Sequence, residues 1–258
     1  MSVKPIAYGT CSSIPDTHFF ISEFKRLSSD LGDVESFRSA IATMHKRSAV
    51  LHQKLFESGQ IPAKFGFHVP THLGMLPLET GWHSSWTAFF TLAMKSIMTF
   101  EREAQGPSEE MECLEIRLLK EVVPRLLTPL ENGPNKIQPV LVHGDLMLGN
   151  ARKDQDTNKP TLYDAGSFWA HNECDLGKWG AARYHIGPEY FDEYHKHIPK
   201  SAPEEDWEDR IILYTIRNNL LSASHYGDRK DLRNLALRDM RFLVEKYGNN
   251  GDARHAEG

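Results

Sequence analysis

The sequence predicts an α+β fold that is mostly α-helical, with two short strands at its start and a small β-hairpin near its middle. Apolar residues recur with helical spacing over about 33–51, 84–130 and 173–247. Aromatic or β-branched runs bounded by turn residues lie near 5–24 and 138–164. The length of 258 residues is sufficient for one large domain or two small ones with a sizeable core.

Composition and charge argue against several classes of protein. The chain is 40% hydrophobic and 25% charged, and its 30 basic and 35 acidic residues give a net charge of −5. Nucleic-acid-binding surfaces show a basic excess, so we predict no nucleic-acid partner. No apolar run approaches the ~18 residues of a membrane span, so we predict no membrane partner. Three scattered cysteines and the lack of an apolar leader predict a reduced, cytoplasmic protein.

The elements follow from local patterns. Residues 6–9 and 18–24 are strand-like and separated by turn residues, and such a hairpin must pack on a larger body to be stable. Asp33 is the predicted N-cap of a first helix. Residues 59–77 are rich in glycine and proline and predict irregular structure. Helices are then predicted at about 84–103, 108–130, 173–184, 189–197, 203–225 and 229–247, with strands at 138–142 and 161–164.

The central stretch carries the chemistry. His143, Gly144 and Asp145 follow an apolar run, Asn150 comes five residues after Asp145, and Asp164 ends the next apolar run. A carboxylate on a loop can accept the proton of a hydroxyl nucleophile, and an Asn–Asp pair can share Mg²⁺ with phosphate oxygens. Asp, Gly and Asn are also common turn residues, so the first three residues alone indicate little. The joint pattern is much more specific, and it is typical of phosphoryl transfer in protein-kinase-like folds.

The residues around this pattern resemble the fructosamine/ketosamine-3-kinase family. His143–Asn150 reads HGDLMLGN, and the stretch from Asp164 to Gly177 reads DAGSFWAHNECDLG. Together they are most similar to the fungal protein-ribulosamine 3-kinases, within the aminoglycoside- and choline-kinase-like group. The segments at 19–24, 42–45, 64–67 and 82–90 resemble the family as well, so the resemblance covers about 5–247.

The resemblance implies a protein-kinase-like fold and an ATP- and Mg²⁺-dependent phosphotransferase. The family phosphorylates the 3-hydroxyl of a ribulosamine or fructosamine adduct on lysine amines, which destabilises the adduct so that it leaves. The substrate would be a ketosamine-bearing protein or small molecule. By resemblance, Asp145 would be the catalytic base, and Asn150 and Asp164 would bind Mg²⁺. His143 and Asp175 would support the loop structurally.

The resemblance also suggests where adenine binds, and the positions of three other residues in the sequence make them candidates for binding the acceptor. The backbone at Glu23 and Phe24 would meet the adenine of ATP at the hinge between two lobes. Trp82 is the candidate for stacking on the sugar, although an aromatic group of this kind is more often core. Trp169 and His171 follow the metal-binding aspartate and are candidates for lining the acceptor pocket. Arginines from 210 to 241, interspersed with acidic residues, predict solvated helix faces.

The chain departs from the family in its first residues. Only about twenty residues precede the predicted hinge, with no glycine-rich loop and with Lys4 as their one lysine. The predicted domains are therefore a remnant of the N-terminal lobe with the hinge (1–32), a kinase-like C-terminal lobe (33–247) and a disordered tail (248–258). An exposed apolar surface is expected on the lobe that remains, and with it oligomerisation or poor solubility. The alternative function is a truncated pseudokinase that acts as a non-catalytic binding or regulatory module; a third is a kinase for another small alcohol.

Overall fold

The chain begins with a β-hairpin and continues into a helical body that carries three further two-stranded sheets. A computed structural model describes residues 2–29, 34–181 and 188–248. The helices in these ranges are α1 (Val34–Glu57), α2 (Trp86–Gln105), α3 (Glu109–Arg117), α4 (Val123–Leu127), α5 (Asn172–Leu176), α6 (Pro188–His195), α7 (Trp207–His225) and α8 (Lys230–Tyr247). A π-helical turn, Leu118–Val122, joins α3 to α4.

The strands pair antiparallel in four hairpin-sized sheets. The first sheet pairs β1 (Pro5–Thr10) with β2 (His18–Ser22). The second pairs β3 (Thr71–Leu73) with β4 (Leu76–Leu78). The third pairs β5 (Val140–Val142) with β8 (Phe168–Ala170), and the fourth pairs β6 (Ala151–Lys153) with β7 (Pro160–Leu162).

The main core lies where α7 packs against both α2 and α8. Ser85 caps α2 by accepting the Ala88 N–H, and the helix then turns its apolar side inward. Trp86 is fully buried and donates its indole N–H to the Tyr214 hydroxyl of α7 at 2.9 Å. Each buried aromatic ring removes apolar surface from water, which is the main stabilisation of such a core.

A second, smaller core lies under the central loop. Leu146, one residue after Asp145, is fully buried there beside Phe37, Leu176 and Trp179. These residues come from α1 and from the α5 region, so two helices hold the loop from below. The loop that carries the predicted base is therefore anchored by its own apolar residue.

The elements agree with the sequence predictions in class and differ from them in detail. The mostly α-helical class with minor β structure is confirmed, as are the first two strands. The region 59–77 is predicted to be irregular, but β3 and most of the β3–β4 hairpin lie within it or at its edge. The predicted N-cap Asp33, residues 182–184 of a predicted helix, and the tail from 249 onwards lie outside the described residues. The division into lobes stays a prediction.

The prediction that the arginines of 210–241 are solvated is wrong for three of them. Arg210 is completely buried and donates to both carboxylate oxygens of Glu173, at 2.7 and 3.2 Å. Arg233 forms a similar two-bond pair with Glu101, and Arg217 is buried as well. Helical periodicity misleads here because a bidentate carboxylate partner lets a guanidinium enter a core.

The β1–β2 hairpin exposes much apolar surface. The large side chains Ile6, Tyr8 and Phe20 of the hairpin, and Phe24 just after it, are between 64% and 88% exposed. These residues belong to the predicted remnant of the N-terminal lobe, whereas the exposed apolar surface is expected on the lobe that remains, which stays a prediction. Among the described helices, none combines the length and apolar character that crossing a membrane requires.

Candidate active site

The loop of His143, Gly144 and Asp145 leaves β5 through a glycine that no other residue can replace without strain. Gly144 has a φ of +83°, which disfavours side chains. A Cβ at this position would lie 2.2 Å from the Gly166 carbonyl oxygen. The loop therefore touches the segment that follows Asp164, so the two halves of the predicted motif meet.

Gly144→Ala is expected to destabilise the protein by about 2–3 kcal/mol more than Gly133→Ala. Gly133 has a similar φ of +79°, but a Cβ there would meet no atom within 4 Å, so it isolates the cost of backbone strain alone. Urea unfolding of both variants measures the difference. Equal losses would show that the contact between the two loops is not tight.

Asp175 anchors the loop from below. Its carboxylate accepts the backbone N–H of His143 at 2.8 Å and that of Gly144 at 2.9 Å, and the residue is only 3% exposed. Burial by itself would raise the pKa of Asp175. The hydrogen bond from His45 and the backbone donors of the loop outweigh burial, so the pKa lies below its usual value.

A chain of buried hydrogen bonds orients Asp175. His45 of α1 contacts Asp175 through Nε2 at 3.2 Å and the Tyr194 hydroxyl through Nδ1 at 2.8 Å. Asn172 donates its amide to the same hydroxyl at 3.0 Å. The partners assign Nε2 as the protonated nitrogen of His45, with Tyr194 donating to Nδ1. Helices α1, α5 and α6 thus converge on one carboxylate.

His143 connects the two halves of the site. Its Nδ1 accepts the Asp145 N–H at 3.3 Å, and its Nε2 donates to the Tyr163 carbonyl oxygen at 3.0 Å. The ring is 3% exposed. It therefore bridges the loop of Asp145 and the strand end that leads to Asp164.

The Asp145 carboxylate has a different partner on each oxygen. Oδ2 accepts the Asn150 side-chain amide at 2.9 Å, and the same amide donates to the Asp145 carbonyl oxygen at 3.0 Å. Oδ1 forms an ion pair with the Lys178 ammonium. Lys178 is not among the site residues predicted from the sequence. Its position three residues after Asp175, in the turns that follow α5, is the signal that could have found it.

Asn150 and Asp164 lie at the same end of the β6–β7 hairpin. Ala151 pairs with Leu162, and the Tyr163 N–H donates to the Asn150 carbonyl oxygen at 3.1 Å, which extends the pairing toward Asp164. Asp164 has a φ of +60°, an uncommon conformation for a residue with a side chain. Such strained positions cluster at functional sites.

Two cavities meet at Asp164. One, of about 690 Å³, is lined mainly by apolar residues of β2, β5 and β7, together with His143 and Tyr163. The other, of about 420 Å³, is lined by Asp145, Met147, Lys178 and residues near the end of α7. Asp164 lines both, so the two cavities share this residue.

The donor set fits a magnesium ion held by few protein atoms. The amide nitrogen of Asn150 is engaged by Asp145, which leaves its oxygen as the atom for a ligand. Asp164 is exposed and supplies a carboxylate. Mg²⁺ commonly takes one or two protein oxygens and completes its shell with phosphate and water. The described residues contain no cluster of three or more His, Cys, Asp or Glu side chains that could hold a metal ion.

The residues predicted to meet adenine lie beside the larger cavity but do not line it. Phe20 and Ser22 of β2 contribute to its wall. The next residue, Glu23, accepts the Lys4 backbone N–H through its side chain at 2.9 Å, and the Phe24 side chain is 88% exposed. The prediction that the backbone of Glu23 and Phe24 contacts adenine stays a prediction.

The three candidates for acceptor binding are not brought to either cavity. Trp169 is 4% exposed and packs edge-on against His52, with 4.8 Å between ring centroids. His171 is completely buried, between the Tyr214 hydroxyl and the Ser201 hydroxyl. Trp82 is half-buried and lines neither cavity. Trp169 and His171 follow Asp164 in sequence, but β8 carries them away from it into the core.

The buried state of His171 predicts acid sensitivity. Burial lowers the pKa of His171 to about 4, from 6.5. Below about pH 6.5 the His171 side chain therefore takes up a proton in the unfolded chain, whereas in the folded chain it stays neutral until the pH approaches 4. Stability is present above that pH and is lost as the pH falls toward 4. We expect a loss of about 2 kcal/mol between about pH 7 and pH 5 from this group.

Urea unfolding at the two pH values measures this loss. His171→Gln removes the titrating group and is expected to flatten the dependence, whereas the control His68→Gln, at an exposed histidine, should leave it unchanged. The same slope in His171→Gln and in the unchanged protein would refute the assignment to His171.

Comparison with known proteins decides the family. The fructosamine kinase family model matches residues 3–236. The chain belongs to the fructosamine kinase family. It is 31% identical to mouse ketosamine-3-kinase over 168 residues, which are 64% of this chain and 49% of that protein. It is 28% identical to a chloroplastic protein-ribulosamine 3-kinase of Arabidopsis thaliana over 204 residues, 78% of this chain and 56% of that protein. The chain thus spans about half the length of the curated relatives it matches.

Solved structures show the same fold. A Haemophilus somnus protein assigned as a fructosamine-3-kinase matches with a TM-score of 0.66 and 18% identity, over 94% of this chain and 74% of that one. An aminoglycoside phosphotransferase solved with ADP and hygromycin B matches with a TM-score of 0.50 and 13% identity, over 95% and 76%. This chain therefore has a kinase-like, mostly α-helical α+β fold, as predicted.

Proposed function

We propose that this chain transfers the γ-phosphoryl group of ATP to the 3-hydroxyl of a ribulosamine or fructosamine adduct. The observation that carries the proposal is the position of Asp164 between two cavities, with Asp145 in one of them and Asn150 bonded to Asp145. A phosphotransferase needs two adjoining pockets, for donor and acceptor, and an anionic residue at their junction that can hold a metal.

The larger cavity suits the nucleotide. Its apolar side chains, among them Met44, Leu141 and Leu162, offer a hydrophobic site of the kind that can bind a purine ring. Asn150 and Asp164 would hold Mg²⁺ at the end of this cavity, where the ion neutralises phosphate charge. The ADP complex of the structurally similar aminoglycoside phosphotransferase supports nucleotide use.

The smaller cavity suits the acceptor. Asp145 reaches it with a carboxylate whose direction is set by the Asn150 amide and by the bonds of Asp175 to the loop backbone. In the proposed reaction this carboxylate accepts the hydroxyl proton while the oxygen attacks phosphorus. The names of the curated relatives, ketosamine-3-kinase and protein-ribulosamine 3-kinase, support a ketosamine as acceptor.

We propose further that the adduct is carried by a lysine of a protein or by a free amine, and that its phosphorylation promotes removal of the sugar.

The three cysteines, all in the described ranges, are without disulfides. This agrees with a reducing compartment such as the cytoplasm.

One observation favours the alternative of a non-catalytic binding module. Among the described residues, no lysine or arginine lines the larger cavity. Phosphotransferases of this fold class use such a cation to clamp the nucleotide phosphates. A chain that relies on Mg²⁺ alone would bind the nucleotide weakly and transfer slowly.

A phosphotransfer assay separates the two functions. The chain is incubated with γ-labelled ATP, Mg²⁺ and a panel of ribulosamine and fructosamine adducts of lysine, free and within a peptide. We expect label on the sugar, with NMR of the product placing phosphate on the 3-hydroxyl. Binding of an adduct or of Mg·ATP by calorimetry without label transfer would establish the binding module and end the proposal of an enzyme.

A further inference from the structure

Lys178 brings a buried ammonium group to the smaller cavity. The residue is only 5% exposed, forms its ion pair with Asp145 and lines the same cavity as Asp164. Arg229 also lines this cavity, but it donates two hydrogen bonds to Asp231, both residues being largely exposed. Lys178 is therefore the cation that is both buried and directed at the proposed base.

The ion pair occupies the oxygen that the reaction requires. Oδ2 of Asp145 already accepts the Asn150 amide, so Oδ1 is the oxygen left for an acceptor hydroxyl. Oδ1 is also the oxygen that Lys178 faces. When an acceptor hydroxyl binds to Oδ1 of Asp145, the Lys178 ammonium no longer has this oxygen to itself. A buried cation is costly unless another negative charge is near, so Lys178 then needs a second anion. The transferred phosphoryl group would arrive at this point with negative charge on its oxygens.

The backbone under Lys178 is held rigidly. Turns continue from α5 through Lys178, with the Trp179 N–H donating to the Leu176 carbonyl oxygen at 2.8 Å. The Thr215 hydroxyl of α7 donates to the Gly177 carbonyl oxygen at 2.9 Å, and a Cβ at Gly177 would lie 2.5 Å from the Tyr214 Cβ. Helix α7 thus fixes the base of the lysine side chain, as preorganised charge stabilisation requires.

We infer that Lys178 is a catalytic residue that binds the phosphoryl group during its transfer; this inference rests on the proposed function. As the acceptor oxygen bonds to the γ-phosphorus, its proton passes to Asp145. The bond from the γ-phosphorus to the bridging oxygen of ATP breaks, and its electron pair leaves with ADP. Lys178 keeps its protons throughout and contacts the equatorial oxygens, so it supplies from the acceptor side a cation that the larger cavity lacks.

An equilibrium measurement tests the site without turnover. In Asp145→Asn the anion that competes for Lys178 is removed, so inorganic phosphate is expected to bind. Phosphate affinity is expected to be at least about tenfold lower in Asp145→Asn/Lys178→Met, which removes both charges of the pair and leaves neither one buried alone. Asp145→Asn/Lys246→Met is the matched control, because Lys246 of α8 also pairs with a buried aspartate, Asp209 of α7, and neither residue lines the smaller cavity. Equal phosphate affinity with and without Lys178 would overturn the inference.

Kinetics of the single variants provide the second readout. Lys178→Met is expected to lower kcat about 100-fold while the KM values for ATP and acceptor stay within about threefold, and Lys178→Arg should restore part of kcat. If Lys178 were only structural, Lys178→Met would lower the melting temperature without lowering kcat at nearly constant KM. An unchanged kcat in Lys178→Met would refute the catalytic role of Lys178.

The two failures can be told apart. If the unchanged chain transfers no phosphate to any acceptor, yet phosphate binding to Asp145→Asn depends on Lys178, the proposed function fails and the phosphoryl-binding site stands. If the chain is active and neither kcat nor phosphate binding depends on Lys178, the function stands and this inference fails.

Discussion

Asp145→Asn is expected to lower kcat for phosphotransfer by about 10²–10⁴-fold, because the amide cannot accept the hydroxyl proton. The structure favours asparagine over alanine for this test. An asparagine side-chain oxygen can keep one of the contacts to Asn150 or Lys178, whereas alanine would leave the buried ammonium of Lys178 facing a gap. Asp145→Asn still leaves the buried Lys178 ammonium without its anion, so the melting temperature should fall, by less than in Asp145→Ala, and activity is measured well below it.

Steady-state assays with ATP and a ribulosamine adduct measure this effect, with calorimetry for stability. Asp156→Asn is the matched control, since Asp156 is an exposed aspartate that pairs with Arg26 at the turn between β6 and β7. It should keep full activity. Activity in Asp145→Asn equal to that of the control would remove Asp145 from the mechanism, whatever its position in the cavity.

Asp175→Asn is expected to cost about 3–5 kcal/mol of stability and most of the activity. The carboxylate accepts three hydrogen bonds, from two loop N–H groups and from His45. An amide of the same shape turns an NH₂ group toward one of these donors, so at least one buried donor loses its acceptor. The loop would shift, and with it the direction of the Asp145 carboxylate.

Urea unfolding and the phosphotransfer assay, run on the same preparation, test both consequences. Glu110→Gln removes a carboxylate from an exposed pair with Arg241 and should change stability by less than about 1 kcal/mol. If Asp175→Asn unfolds at the same urea concentration as Glu110→Gln and remains active, the loop does not depend on this anchor.

The sequence predicts which residues of the site lie close together when they are a few positions apart, and it fails when a strand separates them. Asp145 and Asn150 are five residues apart on one loop, and the structure shows them hydrogen-bonded. Trp169 and His171 are candidates for lining the acceptor pocket only because they follow Asp164 in the sequence. Strand β8 pairs with β5, and that pairing directs them into the core. Nearness in sequence indicates nearness in space over a turn, but not across a strand.

Charged residues show the same limit in another way. A pattern of arginines and acids along a helix predicts exposure when each charge is solvated by water. Arg210 and Glu173 are completely buried because they solvate each other, and they come from α7 and α5, which the pattern could not pair. Lys178 was missed for the same reason, since its importance depends on Asp145, more than thirty residues earlier.

Local sequence patterns are sufficient to predict the helical class and the family and to propose the site chemistry, because helical periodicity and the motif of Asp145, Asn150 and Asp164 each lie within short windows. The folded chain adds that Asp164 lines two cavities and that Lys178 pairs with the proposed base. A cavity and a buried ion pair both arise from packing between segments that are distant in the sequence. Their free energy depends on which groups water can no longer reach, and no short window of sequence contains that information.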